Sequence, residues 1–499
     1  MSRDHGGFGT RASAALLGAL ASAGFALGGC TVGPDFKRPE PPATPSYTAE
    51  PMPPATAEAA VTGGGSQRFV TGELQRQWWM LFRSDALTQL IEAALHDSPN
   101  VAQGQATLRQ AQELLAAERG AQWPAVNASG SVSRQRESAA ALGAPRAETF
   151  SLFSASVQVT YAFDLFGSVR RQLESLQAQV DSEQYRLEAT YLALTSNLVT
   201  TAIREAQLRA QLAATMEIEE LQRKQLNVVE RRFQLGAVAR SDVLAQRTVL
   251  AQTHANIPPL ERQLALARHQ LAILAGRFPG DGGLPEFDLE HLELPLELPV
   301  SVPSALARQR PDILAAEALL HSASAQIGVA TADLYPKLNL SGNVGLEAFQ
   351  ANKLFSSNAF GWGIGAGITA PLFNGNQLQA RRRAAIAAYD GAAAAYRQTV
   401  LTAFGSVADA LRALEADARA LQAQVDAQAQ ARASYELADK QFSAGALSYL
   451  VLLNAEERLQ QTRIAVVQAQ ADRYADTVAL FAALGGGWWS DRAQAAAQQ

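Results

Sequence analysis

Apolar residues recur at steps of four and three through two long stretches of the chain, and at steps of two through four short ones. Val169, Leu173, Leu176, Val180, Leu187, Tyr191, Leu194 and Leu198 form the first helical stripe. Tyr389, Ala393, Tyr396, Val400, Val407, Leu411, Leu414, Ala418, Leu421 and Val425 form the second. Such a stripe is the seam of a coiled coil, so long helices are predicted after Gly167 and Gly375. The first, 168–232, would rise roughly 97 Å at ~1.5 Å per residue. Breaks at 234–240 and 443–447, holding Gly236 and Gly445, precede return helices at 241–275 and 448–484. Helices are also predicted at 98–122 and 311–334. Each stops at an aromatic-proline pair, Trp123-Pro124 or Tyr335-Pro336, because the residue before proline is driven out of the α region.

The period-2 segments are 126–132 and 153–163, then 338–344 and 362–370. One face of each carries apolar or aromatic residues and the other Ser, Asn, Gln, Thr and Gly, which predicts strands between two different solvents. A soluble sandwich also alternates, but it would bury the polar face against nothing suitable. Strands of about 10 residues with this alternation suit the wall of a transmembrane barrel. Four strands cannot close one, since bacterial barrels begin at about eight. The expectation is therefore a mixed α/β membrane protein that oligomerises, with eight strands from two chains or twelve from three.

The pattern is written twice. Pro99-Asn100-Val101 aligns with Pro311-Asp312-Ile313, and the same shift puts Trp123-Pro124 on Tyr335-Pro336 without a gap. Phe233-Gln234-Leu235-Gly236 likewise falls on Phe442-Ser443-Ala444-Gly445. A tandem internal repeat is expected, with residues 77–276 as the first copy, 304–488 as the second and 489–499 as a tail. The proline-broken segment 277–303 is expected to join the copies without a helix.

Composition narrows the chemistry. The 499 residues carry a net charge of −5, with no basic surplus to hold a nucleic acid. A mean hydropathy of −0.06 is too polar for a bundle of membrane helices. Arg3 and Arg11, the apolar run from Ala12 to Leu27, and Leu27-Gly28-Gly29-Cys30 have the layout of a bacterial export signal. The run resembles a lipoprotein signal, residues 1–29, which would leave a diacylglycerol anchor on the thiol of Cys30, the chain's single cysteine. Thr31 rather than Asp after it suggests release to the outer membrane. Residues 30–76, crowded with proline and holding Gly63-Gly64-Gly65, read as an extended tether. The six histidines form no His-Glu-x-x-His pair, and no Gly-x-Ser-x-Gly or Walker loop occurs, so neither catalysis nor a cofactor nor a metal is expected.

Gly29-Cys30-Thr31-Val32-Gly33-Pro34-Asp35-Phe36, Trp78-Trp79-Met80-Leu81-Phe82, Arg310-Pro311-Asp312-Ile313 and Ala483-Leu484-Gly485-Gly486-Gly487-Trp488 together resemble the outer membrane factor family, TolC-like, in its NodT-type lipoprotein branch. The resemblance implies a homotrimer whose three four-stranded contributions make one twelve-stranded β-barrel, continued by a long α-helical coiled-coil tunnel in the periplasm. It implies a passive exit duct for small molecules, partnered by a periplasmic adaptor and an inner-membrane pump of the resistance-nodulation-division type. The duct of a type I protein secretion system, or a periplasmic coiled-coil lipoprotein without a pore, are the alternatives. The hairpin tips, with Gly236, Ser241 and Gly445, would dock the adaptor. Locally, Gly supplies a left-handed helix end and Ser241 can cap the returning helix.

Leu450, Asn454 and Glu457 are spaced to share one helix face, and in the family the matching face narrows the tunnel mouth. An Asp is common there, so Asn454 points to a steric seal, with Glu457 supplying the negative ring; coiled-coil core for Leu450 and a solvated face for the other two is the alternative. Asp242 matches a position that bridges helices to hold the mouth shut, and equally suits the first turn of a helix. The run Arg381-Arg382-Arg383 fits either lipid headgroups near the barrel base or a solvated helix face.

Overall fold

The structure, a computed structural model, describes residues 31–143 and 145–490. The signal and the lipidation expected at Cys30 lie outside the described residues. In chain order the elements are β1 (Arg68–Thr71), α1 (Asp85–Asp97), α2 (Pro99–Arg119), β2 (Ala125–Glu137), β3 (Glu148–Phe163), α3 (Ser168–Gln234) and α4 (Arg240–Leu274). Then follow β4 (Glu297–Val300), α5 (Pro303–Gln309), α6 (Pro311–Ala332), β5 (Lys337–Ala348), β6 (Phe360–Thr369), α7 (Gln377–Ser443) and α8 (Tyr449–Ala483). Helices α3 and α7 have 67 residues each, α4 and α8 35 each. The chain forms two compact units, each gathered from three separate stretches.

The first unit comprises residues up to 38, 108–182 and 316–396. Its sheet is antiparallel in the order β2-β3-β5-β6. The register carries the alternation across all four strands. Ala128, Val157, Val344 and Trp362 form one apolar row, and Val126, Val159, Gly342 and Ile364 the next. Between them run Asn127, Gln158, Asn343 and Gly363 on the other face. Polar partners bond across the strands there, Ser129 to Ser156 at 3.0 Å and Ser131 to Ser154 at 2.8 Å. A one-residue slip would turn every apolar side chain to the polar face, so this pattern pins the register. The strands β2 and β6 are unpaired edges, and nearly all their residues are exposed.

Beside the sheet, the segment after Thr31 is clamped by α3. Buried Arg171 donates from Nη2 to Asp35 at 2.7 Å, from Nη1 to Glu174 at 2.7 Å and from Nε to the carbonyl of Val32 at 3.2 Å. Phe36 stacks on His321 of α6 at 4.3 Å, and Arg38 pairs with Glu317 at 2.6 Å. Gly33, at φ +97°, lies against the backbone of Gly328, where a side chain would collide.

The second unit holds 39–107, 183–315 and the chain from 397 onward. Its core includes Trp78, Trp79, Phe82, Phe481 and Tyr474, all buried, with Trp78 meeting Phe481 at 5.6 Å between ring centres. Helix α1, absent from the sequence expectation, is capped by Ser84 and buries Leu87, Leu90, Ile91 and Ala94, an i, i+3, i+4, i+7 face. Strands β1 and β4 pair in parallel, four residues each, too short to show a period. The segment before Pro303 has no α-helix but buries Phe287, Leu289, Leu292 and Leu294.

Buried Arg473 of α8 donates to Thr56 Oγ1 at 2.9 Å and to the carbonyls of Gly65 and Gly63 at 2.6 and 3.2 Å. Burial lowers its pKa, and the ring of three oxygen acceptors takes the place of a carboxylate partner. Arg310 grips Asp312 through Nη2 at 2.6 Å and Nε at 3.0 Å, and closes the end of α8 by donating to the carbonyl of Ala483 at 2.7 Å. Arg310 and Asp312 thus tie the start of α6 to the last turn of α8, satisfying a carbonyl that has no partner within its own helix.

Candidate functional site

The site lies where α3 turns into α4 and α7 into α8. Gly236 and Gly445 take φ of +74° and +73°, the left-handed conformation that glycine adopts without strain. Each closes a Schellman motif. Gly236 N–H donates to the carbonyl of Phe233 and Ala237 N–H to that of Arg232; Gly445 donates to Phe442 and Ala446 to Gln441. Arg232 lies over the Phe442 ring at 4.7 Å, linking one turn to the other.

Ser241 is not the cap of the returning helix. Helix α4 begins at Arg240, so Ser241 is its second residue and is exposed. Asp242 does the capping, its Oδ2 accepting the backbone N–H of Ala239 at 3.0 Å. A carboxylate there also lies against the positive end of the helix dipole, a better partner than a hydroxyl. In the other hairpin the N-cap residue is Ser448.

Leu450, Asn454 and Glu457 share one exposed face of α8. Leu450 is 58% exposed, so within one chain it is no part of a coiled-coil core. The opposite face is the packed one. Tyr449, Leu452 and Ala455 meet Val229 of α3, Val243 of α4 and Ala438 of α7 in a separate hydrophobic cluster.

Polar groups run through this packing. Tyr449 OH donates to Gln246 Oε1, Gln246 Nε2 to the carbonyl of Gln222 at 3.1 Å, and Gln222 Nε2 to Gln460 Oε1 at 3.3 Å. Gln460 Nε2 in turn donates to Glu456 Oε1 at 3.2 Å. Glu456 is only 6% exposed, and its Oε2 accepts no hydrogen bond. Burial pushes its carboxyl up to about 7, with the Gln225 amide offsetting part of the rise. Tyr449 is raised mainly by burial and then by the charges of Glu456, Asp242 and Tyr435. Glu456 was not among the residues expected at the site, although the sequence carries its signal: Tyr449, Leu452, Glu456 and Leu459 step by three, four and three, which puts a carboxylate on the helix seam.

An amide-rich groove adjoins the exposed face. Gln252, Asn256, Gln263, Gln461 and Glu457 line about 400 Å³ beside Pro259. Pro258 and Pro259 sit inside α4 and deny it two N–H donors, leaving the carbonyls one turn earlier without helical partners. No group of three or more His, Cys, Asp or Glu side chains suited to a metal ion occurs among the described residues.

Residues 90–277 and 302–486 match the family model of outer membrane efflux proteins. The probable efflux pump outer membrane protein TtgC of Pseudomonas putida is 30% identical over 480 residues, 95% of this chain and 96% of that protein. The pyoverdine export outer membrane protein OpmQ of Pseudomonas aeruginosa is 32% identical over 428 residues, 84% of this chain and 88% of that one. Among solved structures, the outer-membrane channel OprN superposes with a TM-score of 0.83 at 30% identity, over 92% of this chain and 100% of its own.

Proposed function

Because the chain belongs to the outer membrane efflux protein family, we infer a mechanism in which it supplies the wall of a duct and its partners supply the energy. The protein is an outer membrane channel of an efflux system, extending into the periplasm. On this reading three chains each give β2, β3, β5 and β6 to one twelve-stranded barrel. The observation that carries it is the sheet, with its continuous apolar face, polar opposite face and two open edges. In hydrocarbon each unpaired backbone group costs several kcal/mol. Four alternating strands leave β6 of one chain antiparallel to β2 of the next, so cyclic closure pairs both edges with no new fold. The apolar face then meets lipid and the Ser, Asn and Gln face lines the water-filled lumen.

The tandem coiled-coil hairpins α3/α4 and α7/α8 would continue the barrel as a periplasmic tunnel. Their tips, around Gly236, Ser241 and Gly445, dock a periplasmic adaptor that connects an inner-membrane pump of the resistance-nodulation-division type, and small toxic molecules leave passively. Three copies of the exposed Leu450, Asn454 and Glu457 face form the closed mouth, with Asp242 at the neighbouring turn, and adaptor binding opens it by splaying the hairpins. Cys30, freed from the 1–29 signal, anchors the chain through lipid. Residues 30–76 form the N-terminal segment; 77–276 and 304–488 are the repeats around linker 277–303, and 489–499 the tail.

The native mass of the detergent-purified protein tests the reading, with Cys30→Ser in parallel to separate lipid anchoring from strand insertion. A trimer that needs detergent even without its lipid is expected. A soluble monomer or dimer of Cys30→Ser would leave a tethered coiled-coil lipoprotein instead. In planar bilayers Leu450→Ala and Asn454→Ala should raise conductance; unchanged conductance removes the gate assignment.

A further inference from the structure

By register, Ala125, Phe163, Lys337 and Thr369 lie at one end of the sheet, where its strands meet the helices. Large apolar side chains crowd that end. Trp123 precedes β2 and is 74% exposed; Phe166 stacks on Tyr335 at 4.6 Å. Leu372 and Phe373, in the loop after β6, are 95% and 92% exposed, two large apolar side chains with almost no contact to their own chain. They come just after β6, on which Ile364 and Ile368 are also exposed, at 84% and 71%.

Arg381, Arg382 and Arg383 follow within two turns of the start of α7, all exposed. The first turn of α7 holds no acidic residue, and among the described residues the three arginines take part in no ion pair. Arg382 alone is oriented, its Nε donating to Thr331 Oγ1 of α6 at 3.3 Å. Successive helical positions are about 100° apart, so the three side chains fan over about 200° of the helix circumference. A fan of this width suits a charged surface rather than a single small anion.

An apolar band followed within two turns by uncompensated arginines is the profile of a bilayer interface, with acyl chains against the band and headgroup phosphates at the guanidinium forks. We propose that Arg381, Arg382 and Arg383, with Leu372 and Phe373 inserted above them, bind anionic phospholipid of the periplasmic leaflet and fix the depth of the barrel. The proposal rests on reading the sheet as a membrane wall. The occupant is a lipid rather than free phosphate because the arginines adjoin exposed apolar side chains that a soluble anion would leave in water.

The test is native mass spectrometry of the full chain released from mixed vesicles of phosphatidylglycerol and phosphatidylcholine. Wild type should retain phosphatidylglycerol about tenfold over phosphatidylcholine, as expected for attraction by several basic residues at a surface. Replacing all three arginines with Gln should abolish the preference, whereas replacing all three with Lys should keep most of it. Raising the salt concentration should weaken the preference in wild type, a readout that needs no variant. Equal retention of the two lipids by wild type, or an undiminished preference in the Gln variant, overturns the proposal. Failure of the underlying membrane reading would appear separately, as a Cys30→Ser chain soluble without detergent.

Discussion

Replacing the buried carboxyl at the hairpin turns with an amide should stabilise them at alkaline pH and leave them almost unchanged in acid. Glu456 is 6% exposed on the packed face of α8, beside Gln225 of α3 and Tyr435 of α7, with one carboxylate oxygen unpartnered. Its pKa stands at about 7 in the fold against 4.5 unfolded. Between those values unfolding releases a proton, so rising pH favours the unfolded side. Below 4.5 both states hold the proton and the penalty vanishes; above 7 it levels off at about 3 kcal/mol. Glu456→Gln keeps the volume and the acceptor for Gln460 Nε2, and removes the titration. Hydrogen exchange of the peptides at 222–234 and 449–460, corrected for intrinsic rates, reads the local opening constant. From about pH 5 to about pH 8 wild-type protection there should fall on the order of 100-fold, while the Gln variant holds. A wild type as well protected at the higher pH as at the lower, or a Gln variant that loses protection in parallel with it, would refute the reasoning.

The capping assignment separates two neighbours: Asp242→Ala should cost about 1 kcal/mol of local stability and Ser241→Ala almost nothing, read by exchange at the start of α4. Gly236→Ala meets open space but must hold a side chain at φ +74°, so about 1 kcal/mol is lost to backbone strain alone, and Gly445→Ala should match it in thermal melts. Arg310→Ala strips the bidentate contact to Asp312 and the donor to the Ala483 carbonyl, with an expected loss of about 2–3 kcal/mol in chemical denaturation. An Arg310→Ala protein as stable as wild type would mean that water replaces the guanidinium there.

Periodicity determined a good deal of this protein before any coordinates. The seam of fours and threes led to α3 and α7 within two residues of their ends at Gln234 and Ser443, because a coiled-coil stripe is a local property that each turn repeats. Alternation located all four strands for the same reason, and the glycine at each turn marked a left-handed residue that other side chains avoid. Tertiary structure decided what local pattern does not encode. Strands β1 and β4 exist only because residues 68–71 and 297–300 meet from distant parts of the chain, and neither is long enough to show a period. The cap of α4 fell to Asp242 rather than Ser241 because the helix starts two residues earlier than a serine cap requires. Glu456 illustrates the limit best. A carboxylate on a helix seam can be seen in the sequence, but its raised pKa comes from burial in the packed hairpins, beside Gln225 of α3 and Tyr435 of α7, and no stretch of α8 alone contains them.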